Sequence, residues 1–124
     1  MSIYHRFSFV AARSLPHMPP SYRCSRLHGH TFKIEVRLKG VVNAKDGWLY
    51  DHYAIADAVQ PLIDQLDHRY LNDIDGMDNK PSNETIAVWF WQRIKPKLPL
   101  LSQITVIDTD ATGCIYNGED NEQG

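Results

Sequence analysis

Between His28 and Leu38 the chain alternates without interruption. His28, His30, Phe32, Ile34, Val36 and Leu38 fall on one side, and Thr31, Lys33, Glu35 and Arg37 on the other, with Lys39 continuing the polar row. A sustained period of two describes a strand with one face in the core and one in water. Such a strand demands a sheet, and a sheet that is apolar on one side only demands a layer to cover that side. Two imidazoles, His28 and His30, extend the side to be buried.

The flanking segments supply the rest of such a fold. "FSFVAAR" reads as a strand over Phe7–Arg13, with Phe7, Phe9, Ala11 and Arg13 on one face, so that Arg13 ends an apolar stripe. The proline-rich "SLPHMPPSYRCSR", which holds His17 and Cys24, reads as an irregular loop. Asp46-Gly47 predicts a hairpin into a short third strand over Trp48–Tyr50 that ends at Asp51. Ile55, Val59, Leu62, Ile63 and Leu66 recur at helical spacing, with Pro61 predicting a kink or a break. A second helix follows in "SNETIAVWFWQRIKPKL", with Ser82 or Asn83 as its N-cap and Ile86, Trp89, Phe90 and Ile94 as its stripe. "SQITVIDTDATGCIYNGE" reads as two strands folded at Ala111 to Gly113, and residues 119–124 as a fraying tail. The order ββ(β)ααββ predicts one α+β domain over residues 1–124, an antiparallel sheet with both helices on one face.

Composition narrows the function. With 124 residues, 43% of them hydrophobic, one core can form. The net charge is -2 and the 13 Lys and Arg are scattered, which gives no footprint for nucleic acid and favours a small-molecule substrate. No apolar run approaches the roughly 20 residues of a spanning helix and the start lacks a signal-type apolar stretch, so the expectation is a soluble, cytoplasmic protein with no membrane partner. Cys24 and Cys114 are then expected as free thiols.

Several residues invite a chemical reading beside a structural one. Two imidazoles on one strand face can hold a metal, or can simply sit satisfied at a core edge. Cys24, between Arg23 and Arg26, has a thiolate favoured by charge and suits a nucleophile or base, or it is a half-buried loop residue. Asp67-His68 can form a carboxylate–imidazole pair only where the backbone leaves helical geometry, since neighbours on a helix do not face each other. Asp108 and Asp110 share a strand face with Ile104 and Val106, as ligand anchors or as a strand end emerging into water. Glu84 fits the first turn of the second helix on electrostatic grounds alone.

In this order "FSFVAARSLPH", "CSRLHGH", "GWLYD", "LDHRYLND", "PSNETIA" and "GCIY" resemble the 6-pyruvoyltetrahydropterin synthase family, and most closely its bacterial branch that makes 6-carboxytetrahydropterin for queuosine. The resemblance implies the T-fold and homo-oligomers, trimers or hexamers, with active sites between chains. It implies a pterin substrate, 7,8-dihydroneopterin triphosphate, and a zinc ion held by three histidines, two of which match His28 and His30. Catalytic roles pass by the same resemblance to Cys24 as proton acceptor and to Asp67 and His68 as a proton-moving pair. In the bacterial branch the products are 6-carboxy-5,6,7,8-tetrahydropterin, acetaldehyde and triphosphate.

Two positions depart from the family's pattern. Arg13 stands where the family places its first zinc ligand, and a guanidinium has no lone pair to give. His5 lies roughly 26 Å away along the strand and cannot substitute, whereas His17 in the loop can. Asp108 stands where the family has a glutamate that grips the pterin, about 1.5 Å shorter in reach, so Asp110 or Glu84 are candidates to share that role. Arg13 itself becomes a candidate for substrate oxygens. An active lyase is the first reading. A catalytically silent relative that binds a pterin or an anion is the second, and a related reaction leaving a different side chain is the third.

Overall fold

The computed structural model describes residues 1–119, so most of the tail expected to fray lies outside the described residues. Strands β1 (Ser2–Arg13), β2 (His28–Lys39), β3 (Leu101–Ile107) and β4 (Gly113–Tyr116) form one antiparallel sheet in the order β1-β2-β3-β4. Helices α1 (His52–Leu66) and α2 (Asn83–Ile94) connect its halves, α1 packing on β1 and α2 on β3 and β4. The alternation of β2 is borne out, with Phe32, Ile34, Val36 and Leu38 all fully buried. They meet Phe7 and Phe9 of β1, Ile104 and Val106 of β3, and the apolar stripes of both helices. Phe9 stacks on Phe32 with ring centroids 5.0 Å apart, and Phe90 of α2 leans on Phe9.

Three expectations need correction. β1 begins at Ser2 rather than at Phe7, because its register with β2 runs on to Ser2 opposite Lys39. Trp48–Tyr50 is not a strand. Both edges of β2 are already taken there, since Lys39 donates to the Leu100 carbonyl and Gly40 to that of Met1. The Asp46-Gly47 signal instead closes a loop in which Asn43 N–H donates to the Trp48 carbonyl at 2.9 Å, and Leu49 tucks into the core. Helix α1 also runs without a break through Pro61. The ring sits on the exposed side, and the carbonyl it leaves unpaired, that of exposed Asp57, is open to water.

Capping fixes both helix starts. Asp51 accepts from Tyr53 N–H at 2.9 Å, and Ser82 rather than Asn83 caps α2, accepting from Thr85 N–H at 3.2 Å. The other sheet face is polar: Glu35 accepts from Arg37 at 2.6 Å and from Arg6 at 3.1 Å. Burial opposes ionisation of Glu35, yet the two guanidiniums hold its carboxyl below the usual range.

Gly113 opens β4 where a Cβ would lie 2.5 Å from the Val106 carbonyl oxygen. Gly113→Ala is therefore expected to push β4 off β3 and to lower stability by about 1–3 kcal/mol in urea unfolding. An unchanged midpoint would show that β4 yields freely.

Candidate active site

The β1–β2 register sets Arg13 opposite His28 and Ala11 opposite His30, so the last residues of two buried stripes meet at one end of the core. Phe32 forms the floor of this end, with the Arg13 guanidinium 5.0 Å above its ring. The third wall comes from β3. Asp108 follows the last residue of the strand and keeps the face of Val106, whereas Asp110 is exposed in the turn beyond, so the two acids do not act together.

Arg13 is buried, its side chain 7% exposed, and its hydrogen bonds reach three separate segments. One terminal nitrogen donates to the Pro81 carbonyl at 3.1 Å and to Asn83 Oδ1 at 2.8 Å; the other donates to Asp108 Oδ2 at 2.8 Å. Nε is buried without a partner. The second oxygen of Asp108 accepts from the Thr112 hydroxyl at 2.7 Å. Burial pushes the Asp108 pKa up, but the Thr112 and Asn83 hydrogen bonds and the Arg13 charge outweigh it and leave the carboxyl below its ordinary value.

His28 and His30 pack edge to face with ring centroids 4.7 Å apart. His28 Nδ1 lies 2.7 Å from the Arg26 carbonyl, which only accepts, so Nδ1 carries the proton and Nε2 is the ring atom left for a ligand. Burial, followed by the charges of Arg13 and His28, lowers the His30 pKa against the pull of Asp108. A cavity of about 380 Å³ opens here, lined by Arg13, Arg23, His28, His30, Asp108 and Thr109. Cys24 belongs to a 3-10 turn, Arg23–Ser25, just before β2 and follows the cavity residue Arg23 in the chain.

Asp67 and His68 occupy a different place. Asp67 ends α1, and His68 adopts the left-handed conformation, φ 60°, which supplies the irregular backbone that a bond between neighbours requires. Asp67 Oδ1 accepts from Val10 N–H at 2.9 Å and stands 3.1 Å from His68 Nδ1. Val10 N–H and then His68 hold its pKa down. The chain from His68 to Tyr70 lies along the outer edge of β1, with His68 N–H on the Val10 carbonyl and Ala12 N–H on that of Arg69. His68 faces a second cleft of about 820 Å³ with Arg69, Tyr70, Asp73, Trp89 and Arg93. Within one chain His68 and the two imidazoles of β2 therefore line different cavities.

Glu84 is exposed on the first turn of α2, and His17 is exposed in the loop; neither lines the cavity of His28 and His30. Among the described residues no three His, Cys, Asp or Glu side chains converge as a metal site. Arg13, opposite His28 and bound to Asp108, offers no lone pair, so the described residues do not fit a three-histidine zinc centre. Sequence reading missed Asn83 as a partner of Arg13, having seen in it only a helix cap; nothing local signals a contact across 70 residues.

The family model described as 6-pyruvoyl tetrahydropterin synthase matches residues 2–119. The chain belongs to this family. Members similar to it include the 6-carboxy-5,6,7,8-tetrahydropterin synthase of Synechocystis, 36% identical over 92% of this chain and 91% of the relative. The dihydroneopterin monophosphate aldolase of Pyrococcus furiosus is 40% identical over 78% of this chain and 77% of its own. The structure of Caenorhabditis elegans 6-pyruvoyl tetrahydropterin synthase superposes with a TM-score of 0.88 at 22% identity, covering 96% of both chains. The family's T-fold, an α+β antiparallel sheet with two helices, is therefore the fold of this chain, without the short extra strand. No helix among the described residues is long and apolar enough to cross a membrane.

Cys114 of β4 is a free, half-buried thiol. Burial, with smaller contributions from Glu84 and Asp108, pushes its thiol up to about 11. At pH 8 only about a thousandth is thiolate, so iodoacetamide should label Cys114 far more slowly than Cys24, read by peptide mass spectrometry. Equal rates would remove the distinction between the two thiols.

Proposed function

We propose that the chain is a pterin-processing lyase that converts 7,8-dihydroneopterin triphosphate and one water to 6-carboxy-5,6,7,8-tetrahydropterin, acetaldehyde and triphosphate, in queuosine precursor synthesis in the cytoplasm. The reaction needs no external oxidant, because the ring gains the two electrons that the three side-chain carbons together lose on becoming a carboxyl and acetaldehyde. The observation that carries the proposal is the Asp67–His68 dyad, whose carboxylate orients an exposed imidazole beside β1. Relation over nine-tenths of the chain to a 6-carboxy-5,6,7,8-tetrahydropterin synthase supports the product. Cys24 removes a side-chain proton, His68 returns one, and triphosphate leaves as the anionic group. Arg23, Thr109, His28 and His30 hold the substrate. Asp108, bonded to Arg13 and Thr112, is available to the pterin ring only along the edge facing the cavity, and Glu84 remains a candidate to contact it.

The relation to a monophosphate aldolase favours a second reading, side-chain cleavage of a monophosphorylated dihydroneopterin. Incubation of the purified chain with each phosphate ester, followed by mass spectrometry of the pterin, separates them. A six-carboxylated tetrahydropterin and acetaldehyde support the lyase, and a shortened side chain from the monophosphate supports the aldolase. No turnover of either, with a pterin retained in equilibrium dialysis, would support a catalytically silent pterin binder.

Assembly is part of the proposal, since the dyad and the His28–His30 cavity complete one site only if neighbouring chains share them. The outer edge of β1 is covered by residues 68–70 only near its end. An open β1 edge and a polar sheet face suit pairing with a second copy. Light scattering should give a trimer or hexamer at micromolar concentration; a monomer would remove the shared site.

A further inference from the structure

The two positions at which the chain departs from its family touch each other. Arg13 and Asp108, 95 residues apart, form an ion pair of 2.8 Å with side chains 7% and 11% exposed. We infer that they are one coupled replacement: the pair fills the space beside His28 and His30 where a third metal ligand would stand, and this site receives its substrate without a bound metal ion.

The described side chains argue against the ways around this. Arg13 cannot turn aside cheaply, because it is tied to Pro81, Asn83 and Asp108 and lies over Phe32. Its departure would leave the Asp108 carboxylate without its counter-ion in a largely buried place. Asp108 is drawn toward Arg13 by one oxygen and toward Thr112 by the other, so turning it onto a metal ion would break those bonds. If it moved, the guanidinium would remain as a fixed positive charge next to any cation held by the imidazoles. His17, Glu84 and Asp110 line no part of the cavity. Two imidazoles alone fall short of the three protein ligands of catalytic zinc sites. The guanidinium is therefore not a free surrogate for a dication, since Asp108 neutralises it; what the pair supplies is a rigid, filled wall.

The test is zinc binding by the full-length chain, which is read without substrate and so stands apart from the function proposed above. Protein loaded with zinc chloride and dialysed is analysed for metal, and affinity is measured at pH 7.5 by competition with a chromogenic chelator. The unmodified chain should keep less than about a tenth of a zinc per chain. Arg13→His opens the wall and adds a third imidazole, and should bind zinc at least about 100-fold more tightly, with Asp108→Glu added to it preserving the gain. Arg13→Lys should stay metal-free. A folded Arg13→His variant with no gain overturns the coupling. If that variant does not fold, the unmodified chain decides: one zinc per chain surviving dialysis overturns the proposal, and its loss in Cys24→Ser or His17→Ala would name the donor that completes the site.

Discussion

Arg13→Met is expected to destabilise the protein by about 3–5 kcal/mol, because it strands a largely buried carboxylate rather than merely deleting a contact. Asp108 is 11% exposed, and Thr112 alone cannot compensate its charge. Urea unfolding at constant protein concentration measures the loss. The double variant Arg13→Met/Asp108→Leu should recover most of it, since a buried ion pair replaced as a whole costs little. A single-variant loss below about 1 kcal/mol would mean that the pair does not close this end of the core. The pH dependence follows from the lowered pKa of Asp108. A carboxyl depressed on folding contributes stability that is full above its unfolded value, about 3.9, and is lost as pH falls through the lower folded value. The gap between the unmodified protein and Arg13→Met should accordingly begin to narrow in mild acid, where the stranded carboxyl of the variant, raised by burial without its counter-ion, takes up a proton, and should finish narrowing as pH falls through the lowered folded value of Asp108 in the unmodified protein.

The second large effect is catalytic. His68→Ala and Cys24→Ala should each lower turnover of dihydroneopterin triphosphate by about 10²–10⁴-fold, the range for loss of a positioned acid or base, while the assembly stays intact by light scattering. His68→Gly makes the sharper test. His68 has φ 60° and is exposed, so glycine relieves backbone strain there and should raise stability by up to about 1 kcal/mol while lowering turnover as far as His68→Ala does. Stability gained as activity is lost is what a functional residue in a strained position shows. Near-normal turnover in either alanine variant would remove that residue from the mechanism.

Much of this was legible from local pattern. The alternation of β2, the stripes of α1 and α2 and the caps at Asp51 and Ser82 depend on neighbours within a few positions, where side-chain direction follows backbone period. The third strand failed because a strand is defined by its partner as well as its sequence, and β1 and β3 had already taken both edges of β2. Asp67 and His68 stand between these cases. Sequence alone required an irregular backbone for their bond, and the left-handed His68, paired with Val10, is where that requirement is met.

By itself the sequence determined the family, the one-sided sheet and the identity of the groups gathered at its end, because each of those rests on ordered motifs or short-range period. Tertiary structure alone decided how Arg13 is used. Its partners, Asn83 and Asp108, lie 70 and 95 residues further on, and they meet it only because strand register and the seat of α2 bring three segments to one point. Tertiary structure also set His68 in a different cleft from His28 and His30, on the far edge of β1. Coulombic and hydrogen-bonding energies depend on separation in space, and in a folded chain that separation is set by the packing of elements rather than by distance along the sequence.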